Sequence, residues 1–426
     1  MNYDFTNASV TQAAFKAGMK RIGKTMDLVE KAAIDNHFAF ISELEDYDLI
    51  NRAGALAKHF QDADILIVCG IGGSNLGTMA IAEAVLGKHY PLRNAPQVFF
   101  AETVDANSAR ELESILQHAI DAKKRVVLNV ISKSGTTTET VALFTFLIEI
   151  MKQLPEYRDH IVVTTDKGSK LWDTARQEGY HMLEIPKNVG GRYSVFTPVG
   201  LFPLALLGID IQELIKGAVH AMSYCLKDGK KNPAALGAVA LWQYSKKGKR
   251  IHDSFLFSQQ LESLGKWYRQ LLAESCGKEN NLRNRKVNAG ITPTVSIGST
   301  DLHSMGQLYL DGPQDKITTF IELDKQEEVY IPNNKNLALL VDNIQGRTMK
   351  DIMKAILDGT AESYKKQKMP FMRITLTDTT EKTIGELMMM KMLETVYLAS
   401  LLDINPFDQP AVEKYKVETR RILAGR

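Results

Sequence analysis

The chain has 426 residues, which at about 150 residues per domain allows two or three domains and a core that needs no disulfide or metal staple. Its 52 Lys and Arg against 50 Asp and Glu leave a formal charge of +2, which argues against a broadly basic nucleic-acid binder. With 44% hydrophobic and 24% charged residues the composition is that of a folded globular protein, not a disordered one.

Three cysteines, Cys69, Cys225 and Cys276, match no zinc spacing and read as free thiols in a reducing compartment. The first ten residues carry Asp4 and no basic residue ahead of an apolar run, so no secretory leader is expected. Residues 1–45 read as an N-terminal helical arm. Residues 64–69, DILIVC, form a buried-strand run, and a turn holding Gly70, Gly72 and Gly73 leads to a helix over 74–86. Strand 97–101 precedes an amphipathic helix over 106–119, and strand 125–131 a helix over 137–154. Strand 161–165 leads to a helix over 170–177, and strand 181–185 closes the series. Short β-branched runs separated by helices mean a parallel sheet covered on both faces.

A helix-rich bridge over 196–247 follows, interrupted by Pro203 and Pro233. Its most apolar stretch, 196–211, holds two glycines, two prolines and Asp210 and is too short and broken to cross a bilayer. Alternation then resumes with strand 250–257, helix 264–275, strand 294–297, helix 302–310, strand 317–323, helix 349–368, strand 372–377 and helix 382–402. The expectation is an α/β protein with two like-built halves, 46–208 and 209–403, and a C-terminal segment over 404–426. Two such halves suggest a duplication. A soluble, cytoplasmic enzyme fits these features best, with no nucleic-acid or membrane partner.

Several segments carry chemistry. Gly70-Ile-Gly-Gly-Ser-Asn-Leu-Gly77 follows a strand and opens a helix, where α/β sheets hold anions. Asn75 breaks the dinucleotide fingerprint, so a tight packing turn is the other reading. Ile131-Ser-Lys-Ser-Gly-Thr-Thr-Thr-Glu-Thr140 lies at an equivalent place, with hydroxyls, a lysine and a helix start suited to a phosphate monoester. A capping box of Thr136 and Glu139 is compatible with that reading.

Gly190-Gly-Arg-Tyr-Ser194 sets Arg192 beside two glycines, where backbone can approach a ligand. Gln270 and Glu274 share one helix face, and Glu274 sits among Leu271, Leu272 and Ala273, suited to proton transfer or simply to a solvated helix end. Gly298-Ser-Thr-Asp-Leu-His303 again follows a strand. The segment from Asn405 to Lys416 is a proline-punctuated turn into a helix, with Gln409 and Lys416 on one face. Alone, a single histidine or lysine of this kind is more often structural or exposed.

Taken together, GIGGSNLG, ISKSGTTTET, GGRYS, the QxxxESxGK of 270–278, GSTDLHS and NPFDQPAVEKYK resemble the glucose-6-phosphate isomerase (phosphoglucose isomerase) family in its compact bacterial form. The six blocks come in the family's order over residues 70–416. The resemblance implies two sugar-isomerase (SIS) domains of flavodoxin-like build and a homodimer whose sites lie between domains and subunits. It implies that Ser132, Lys133, Ser134, Thr136 and Thr137, helped by Gly73 and Ser74, bind the sugar phosphate. Arg192 with Gly191 would stand beside C1 and C2, and Glu274 would move the proton between them. His303, supplied by the neighbouring subunit, and Lys416 would assist ring opening, while Gln270 and Gln409 would orient hydroxyls.

The implied reaction interconverts glucose 6-phosphate and fructose 6-phosphate through a cis-enediol, a step of glycolysis and gluconeogenesis, with no cofactor and no metal. It needs a carboxylate base, a cation for the enediolate and an acid/base at the ring oxygen. Cys276 departs from the asparagine usual at its place in the family. A non-catalytic SIS-domain sensor is the competing reading, and it would have no use for Glu274, His303 and Lys416 together. A bifunctional isomerase also accepting mannose 6-phosphate is a third.

Overall fold

The computed structural model describes residues 1–35, 39–92, 96–227 and 231–425. In chain order its strands are β1 Asn2–Asp4, β2 Ile65–Cys69, β3 Gln97–Ala101, β4 Val126–Ile131, β5 Ile161–Asp166 and β6 His181–Ile185. They continue with β7 Ile251–Leu256, β8 Lys278–Asn280, β9 Lys286–Ala289, β10 Thr292–Ile297, β11 Lys316–Leu323 and β12 Phe371–Leu376. One sheet has the order β3-β2-β4-β5-β6, all parallel. Numbered within its own half, that is 2-1-3-4-5, the flavodoxin-like order. The second sheet runs β10-β7-β11-β12, again 2-1-3-4 within its half, with β1 added antiparallel at the edge.

The strand runs become central strands because both faces are covered. β2 sends Ile65, Ile67 and Cys69 into a cluster with Leu112, Leu116, Leu143 and Leu147 of the helices Ala106–Asp121 and Thr138–Met151. Leu66 and Val68 point the other way, into a large core shared by both halves. That core is organised around the helix Glu381–Leu402, which is buried almost all round and packs against the helices Ile211–Cys225 and Pro233–Lys246. The outer face of the second sheet is aromatic: Phe255, Phe257, Phe320 and Phe371 meet Leu357, Ala361 and Tyr364 of the helix Met349–Lys366.

Several expectations change. Pro203 does not interrupt the bridge but lies within the short helix Pro198–Leu206, and Pro233 is the first residue of its helix, capped by Asn232. The helix expected over 302–310 is two short ones, Thr300–Ser304 and Gly306–Asp311. The N-terminal arm is not purely helical, because β1 pairs with β12 through Asn2, Tyr3 and Asp4 before the helix Gln12–Asp35 begins. The β8–β9 hairpin was not expected either. Among the described residues no helix is long and apolar enough to cross a membrane.

Candidate active site

The strand order reverses between β2 and β4, and ligands of open α/β sheets bind outside the carboxyl ends of the strands at such a point. The Gly70 turn leaves β2 there, and Asn75 explains why the dinucleotide pattern fails: its side-chain amide donates to the Gly70 carbonyl and closes the turn. Gly72 has φ +60°, a left-handed conformation open to glycine. A Cβ on Gly73 would stand 2.6 Å from the Arg192 nitrogen and closer still to the Gly191 carbonyl group. Only glycine lets this turn press against the 3-10 turn Gly191–Phe196, and so Gly73 and Gly191 bring Arg192 to the switch point.

The hydroxyl loop leaves β4 beside it. Ser132 is buried and its Oγ lies 3.0 Å from Thr137 Oγ1. Ser134 accepts from the Thr136 amide at 3.3 Å and from its hydroxyl at 3.1 Å, and both residues are exposed. The capping box expected of Thr136 and Glu139 is not made. Thr137 is the N-cap residue of the helix Thr138–Met151, and its side chain makes no cap hydrogen bond. The first helical N–H groups therefore keep their donors, next to the hydroxyls.

Lys133 goes elsewhere than expected. Its Nζ donates to the carbonyls of Lys187 at 2.6 Å and Val189 at 2.9 Å, which ties down the loop leading to Gly190. Burial lowers its pKa, against the pull of Asp166.

The helix Glu262–Cys276 of the second half packs beside the helix Leu76–Leu86 of the first, and this brings Gln270 and Glu274 to the same place. Leu271 and Leu272 face the core while Glu274 keeps 28% of its side-chain surface exposed. The apolar surroundings expected for Glu274 are thus replaced by polar ones. Gln270 Nε2 donates to its Oε1 at 2.9 Å, and Arg192 Nη1 to its Oε2 at 3.3 Å.

Arg192, only 3% exposed, uses every donor it has. Nε donates to Ser275 Oγ at 2.8 Å, and Nη1 also to Gln409 Oε1 at 2.8 Å. Nη2 donates to the Pro406 carbonyl and to the Asp408 carbonyl at 3.2 Å. The guanidinium stands over the Tyr193 ring, 5.4 Å from its centroid, and the Tyr193 hydroxyl is 2.9 Å from Ser275 Oγ. Burial pushes the Tyr193 phenol up to about 12, so it stays protonated at neutral pH.

Lys278 reinforces the arrangement. It donates to the Glu274 carbonyl at 2.6 Å and the Asp408 carbonyl at 2.7 Å, and burial, then the charge of Arg192, lowers its pKa. A cleft of ≈ 690 Å³ opens alongside, lined by Glu274, Lys278, Asn281, Asp408, Gln409 and Lys414.

Two expected residues make no hydrogen bond to this cluster. His303 is exposed on the short helix after β10, and Lys416 lies on the helix Pro410–Leu423 with its Nζ on Glu413 Oε1 at 2.8 Å. Cys276 is fully buried, its thiol pushed up to about 12 by that burial, and it does not line the cleft. Among the described residues no group of three or more His, Cys, Asp or Glu could hold a metal ion. Sequence reasoning missed the parts played by Asn75, Tyr193, Ser275 and Lys278, although each lies inside a block it had singled out.

Fold and cluster together define an α/β protein of two parallel-sheet halves, with a hydroxyl-rich loop and a glycine turn at one switch point and, against that turn, a buried arginine bonded to a carboxylate. A family model described as phosphoglucose isomerase matches residues 27–425. The chain is 35% identical over 372 residues to a glucose-6-phosphate isomerase of Methanocaldococcus jannaschii, covering 86% of each chain. It is 33% identical over 398 residues to one of Carboxydothermus hydrogenoformans, covering 91% of this chain and 84% of the relative. A crystal structure of a Thermus thermophilus protein superposes with a TM-score of 0.86 at 28% identity, covering 99% of both chains. That of a Chlamydia trachomatis glucose-6-phosphate isomerase gives 0.75 at 20% identity over 93% of this chain and 75% of the other, a likeness of fold. The chain belongs to the phosphoglucose isomerase family.

Proposed function

We propose that this protein interconverts glucose 6-phosphate and fructose 6-phosphate. The observation that carries the reading is the meeting of Glu274 with Arg192 beside an uncapped, hydroxyl-rich helix start. Ser132, Ser134, Thr136 and Thr137, with the first N–H groups of the helix Thr138–Met151 and with Gly73 and Ser74 of the neighbouring turn, hold the phosphate. Lys133 contributes by fixing the 187–189 loop. The phosphate anchors the sugar so that C1 and C2 lie against Glu274.

Glu274 takes the proton from C2 of the open-chain aldose, the electron pair forms the C1–C2 double bond as the C1 carbonyl pair moves onto O1, and O1 takes a proton to give the cis-enediol. O2 then gives up its proton, the C2 carbonyl forms as the double-bond pair moves to C1, and the same carboxyl returns the proton to C1. Arg192 Nη1, already desolvated and oriented, exchanges its long 3.3 Å bond to Glu274 for the oxygens on which charge develops. Gln270 and Gln409 each hold one partner of this pair and orient substrate hydroxyls. His303 and Lys416 exchange the proton of the ring oxygen when the ring opens.

His303 reaches the site from a second copy of the chain. Its exposure, with no hydrogen bond to the cluster of its own chain, supports a homodimer, as does the exposed apolar run Leu337, Leu339, Leu340 and Val341, with Leu339 90% exposed. The buried free thiols of Cys69, Cys225 and Cys276 support the cytoplasm as its compartment.

The test is formation of glucose 6-phosphate from fructose 6-phosphate, coupled to a dehydrogenase, for wild type and Glu274→Gln, with phosphate-ester binding measured by calorimetry. The expected outcome is a loss of about 10²–10⁴-fold in kcat with binding kept. Binding without turnover in the wild type would establish a sugar-phosphate sensor instead. For the dimer, Glu274→Gln and His303→Ala chains are unfolded and refolded together. With His303 acting in trans, half the pairs are hybrids with one complete site, so about a quarter of wild-type activity returns. No recovery would place His303 in its own subunit's site.

A further inference from the structure

Five bonds hold Arg192, but they are not alike. Four go to groups of the fold that take no part in the proposed chemistry or only orient: Ser275 Oγ, Gln409 Oε1 and the carbonyls of Pro406 and Asp408. The fifth, to Glu274, is the long one at 3.3 Å. A guanidinium is planar, so fixing Nε and Nη2 leaves Nη1 a single direction. Nε has one hydrogen and one partner, Ser275 Oγ, which is wholly buried. Ser275 is in turn 2.9 Å from the Tyr193 hydroxyl, and the Tyr193 ring lies against the guanidinium.

We propose that Ser275 and Tyr193 are positioning residues: they hold the Nε edge of Arg192 so that Nη1 points at the enediolate oxygen and not into a closed two-point pair with Glu274. This rests on the isomerase reading. Neither residue touches substrate in it, because both are buried in the core and neither lines the cleft. Without the Ser275 hydroxyl a buried N–H loses its partner, and the acceptor already within reach of a turned guanidinium is the Glu274 carboxylate. That rotation would occupy the base and withdraw the cation together. The effect falls on the transition state, where charge has developed, and spares the phosphate, whose loop after β4 is not bonded to Arg192, Tyr193 or Ser275.

The experiment compares Ser275→Ala, Tyr193→Phe and the double variant with the wild type. It measures kcat, the KM for fructose 6-phosphate, the inhibition constant of a phosphorylated hydroxamate mimicking the enediolate, and the melting temperature. Ser275→Ala is expected to lower kcat on the order of tenfold or more with KM within about twofold, and to weaken the mimic in parallel with kcat. Tyr193→Phe keeps the ring and lowers kcat by only a few fold, and it adds nothing in the Ser275→Ala background because it acts through Ser275.

Unchanged kcat in Ser275→Ala, or equal losses in kcat and in binding of fructose 6-phosphate, would overturn the proposal while leaving the isomerase intact. Additive losses that track melting temperature would reduce both residues to packing and overturn it too. Should Ser275→Ala not fold, Tyr193→Phe decides: wild-type kcat and mimic affinity refute the relay. An inactive wild type would overturn the function and this proposal together.

Discussion

Arg192→Lys keeps the charge at the centre of the cluster and removes the fork. Arg192 satisfies five acceptors, on Ser275, Glu274, Gln409, Pro406 and Asp408. An ammonium carries three donors on one atom, so at least two of the five lose their partner. The carbonyls of Pro406 and Asp408 lie at the far end, on Nη2, beyond the reach of a lysine stem turned toward Ser275. At about 1–3 kcal/mol for each orphaned buried acceptor the loss is about 2–6 kcal/mol. The Asp408 carbonyl keeps Lys278 Nζ as a donor at 2.7 Å, so the uncompensated loss is mainly that of the Pro406 carbonyl, about 2 kcal/mol.

The loss falls on the segment after residue 404, which Arg192 and Lys278 tie to the site beside the packing of Phe407 on Tyr193. About 2 kcal/mol corresponds to a roughly thirtyfold rise in local opening. Hydrogen exchange followed on peptides covering 404–425 should show that rise, with β2 and β4 unchanged, and kcat should fall on the order of a hundredfold. Wild-type exchange over 404–425 would refute the reasoning, since the guanidinium would then not be the tether.

Gly73→Ala puts a methyl against the Gly191 carbonyl and the Arg192 nitrogen, both backbone and unable to swing aside. It should cost about 1–3 kcal/mol in denaturant unfolding and a larger share of activity, and an active, stable variant would mean that the two turns do not meet. Ser132→Ala removes a buried hydroxyl that pairs with Thr137, and should raise KM about tenfold with kcat little changed; a loss confined to kcat would take the phosphate away from this loop.

His252, buried against Thr319 and Tyr268, is held well below its usual pKa, by burial first and then by the charge of Lys391. The unfolded chain binds that proton near pH 6.5 while the folded chain refuses it. Stability is therefore full above about pH 6.5 and falls by about 1.4 kcal/mol per pH unit below it, until the folded value is reached. Urea unfolding at pH 7.5 and 5 should show a smaller drop for His252→Gln than for wild type, and equal drops would remove His252 from the account.

The sheets were legible because their central strands are buried on both faces and read as apolar, β-branched runs: β2 and β4 fall within the runs expected at 64–69 and 125–131. β1 and the β8–β9 hairpin were not, being three or four residues long and defined by a partner far away in the chain or by a turn too irregular to announce itself. The same division holds at the site. Gln270 and Glu274 were found because helical spacing is local. The polar surroundings of Glu274 could not be found, because Leu271 and Leu272 beside it in the chain turn away from it and Arg192, 82 residues earlier, turns toward it. Ser275 lay inside the 270–278 block with no role assigned to it for the same reason. Lys133 shows the converse, since a cation in a phosphate-like motif was spent on two carbonyls that no local pattern announces.

The two halves share a strand order, yet the helix starts at their switch points differ. In each half a helix follows the third strand: Thr138–Met151 after β4 and Met349–Lys366 after β11. The second begins with a complete capping box, in which Thr348 Oγ1 accepts from the Asp351 amide at 3.0 Å and the Asp351 carboxylate accepts from the Thr348 amide at 3.0 Å. A carboxylate of the chain itself thus occupies the positive end of that helix. The cavity beside it, lined by Glu322, Asp324, Lys350 and Lys354, offers acid and base together and no hydroxyl-rich turn. In the first half the corresponding Thr137 leaves its cap unmade and turns its hydroxyl to Ser132. Topology alone offers two such helix starts; the second is filled by an aspartate of the chain, the first is not, and the helix carrying Glu274 packs from the second half against the first.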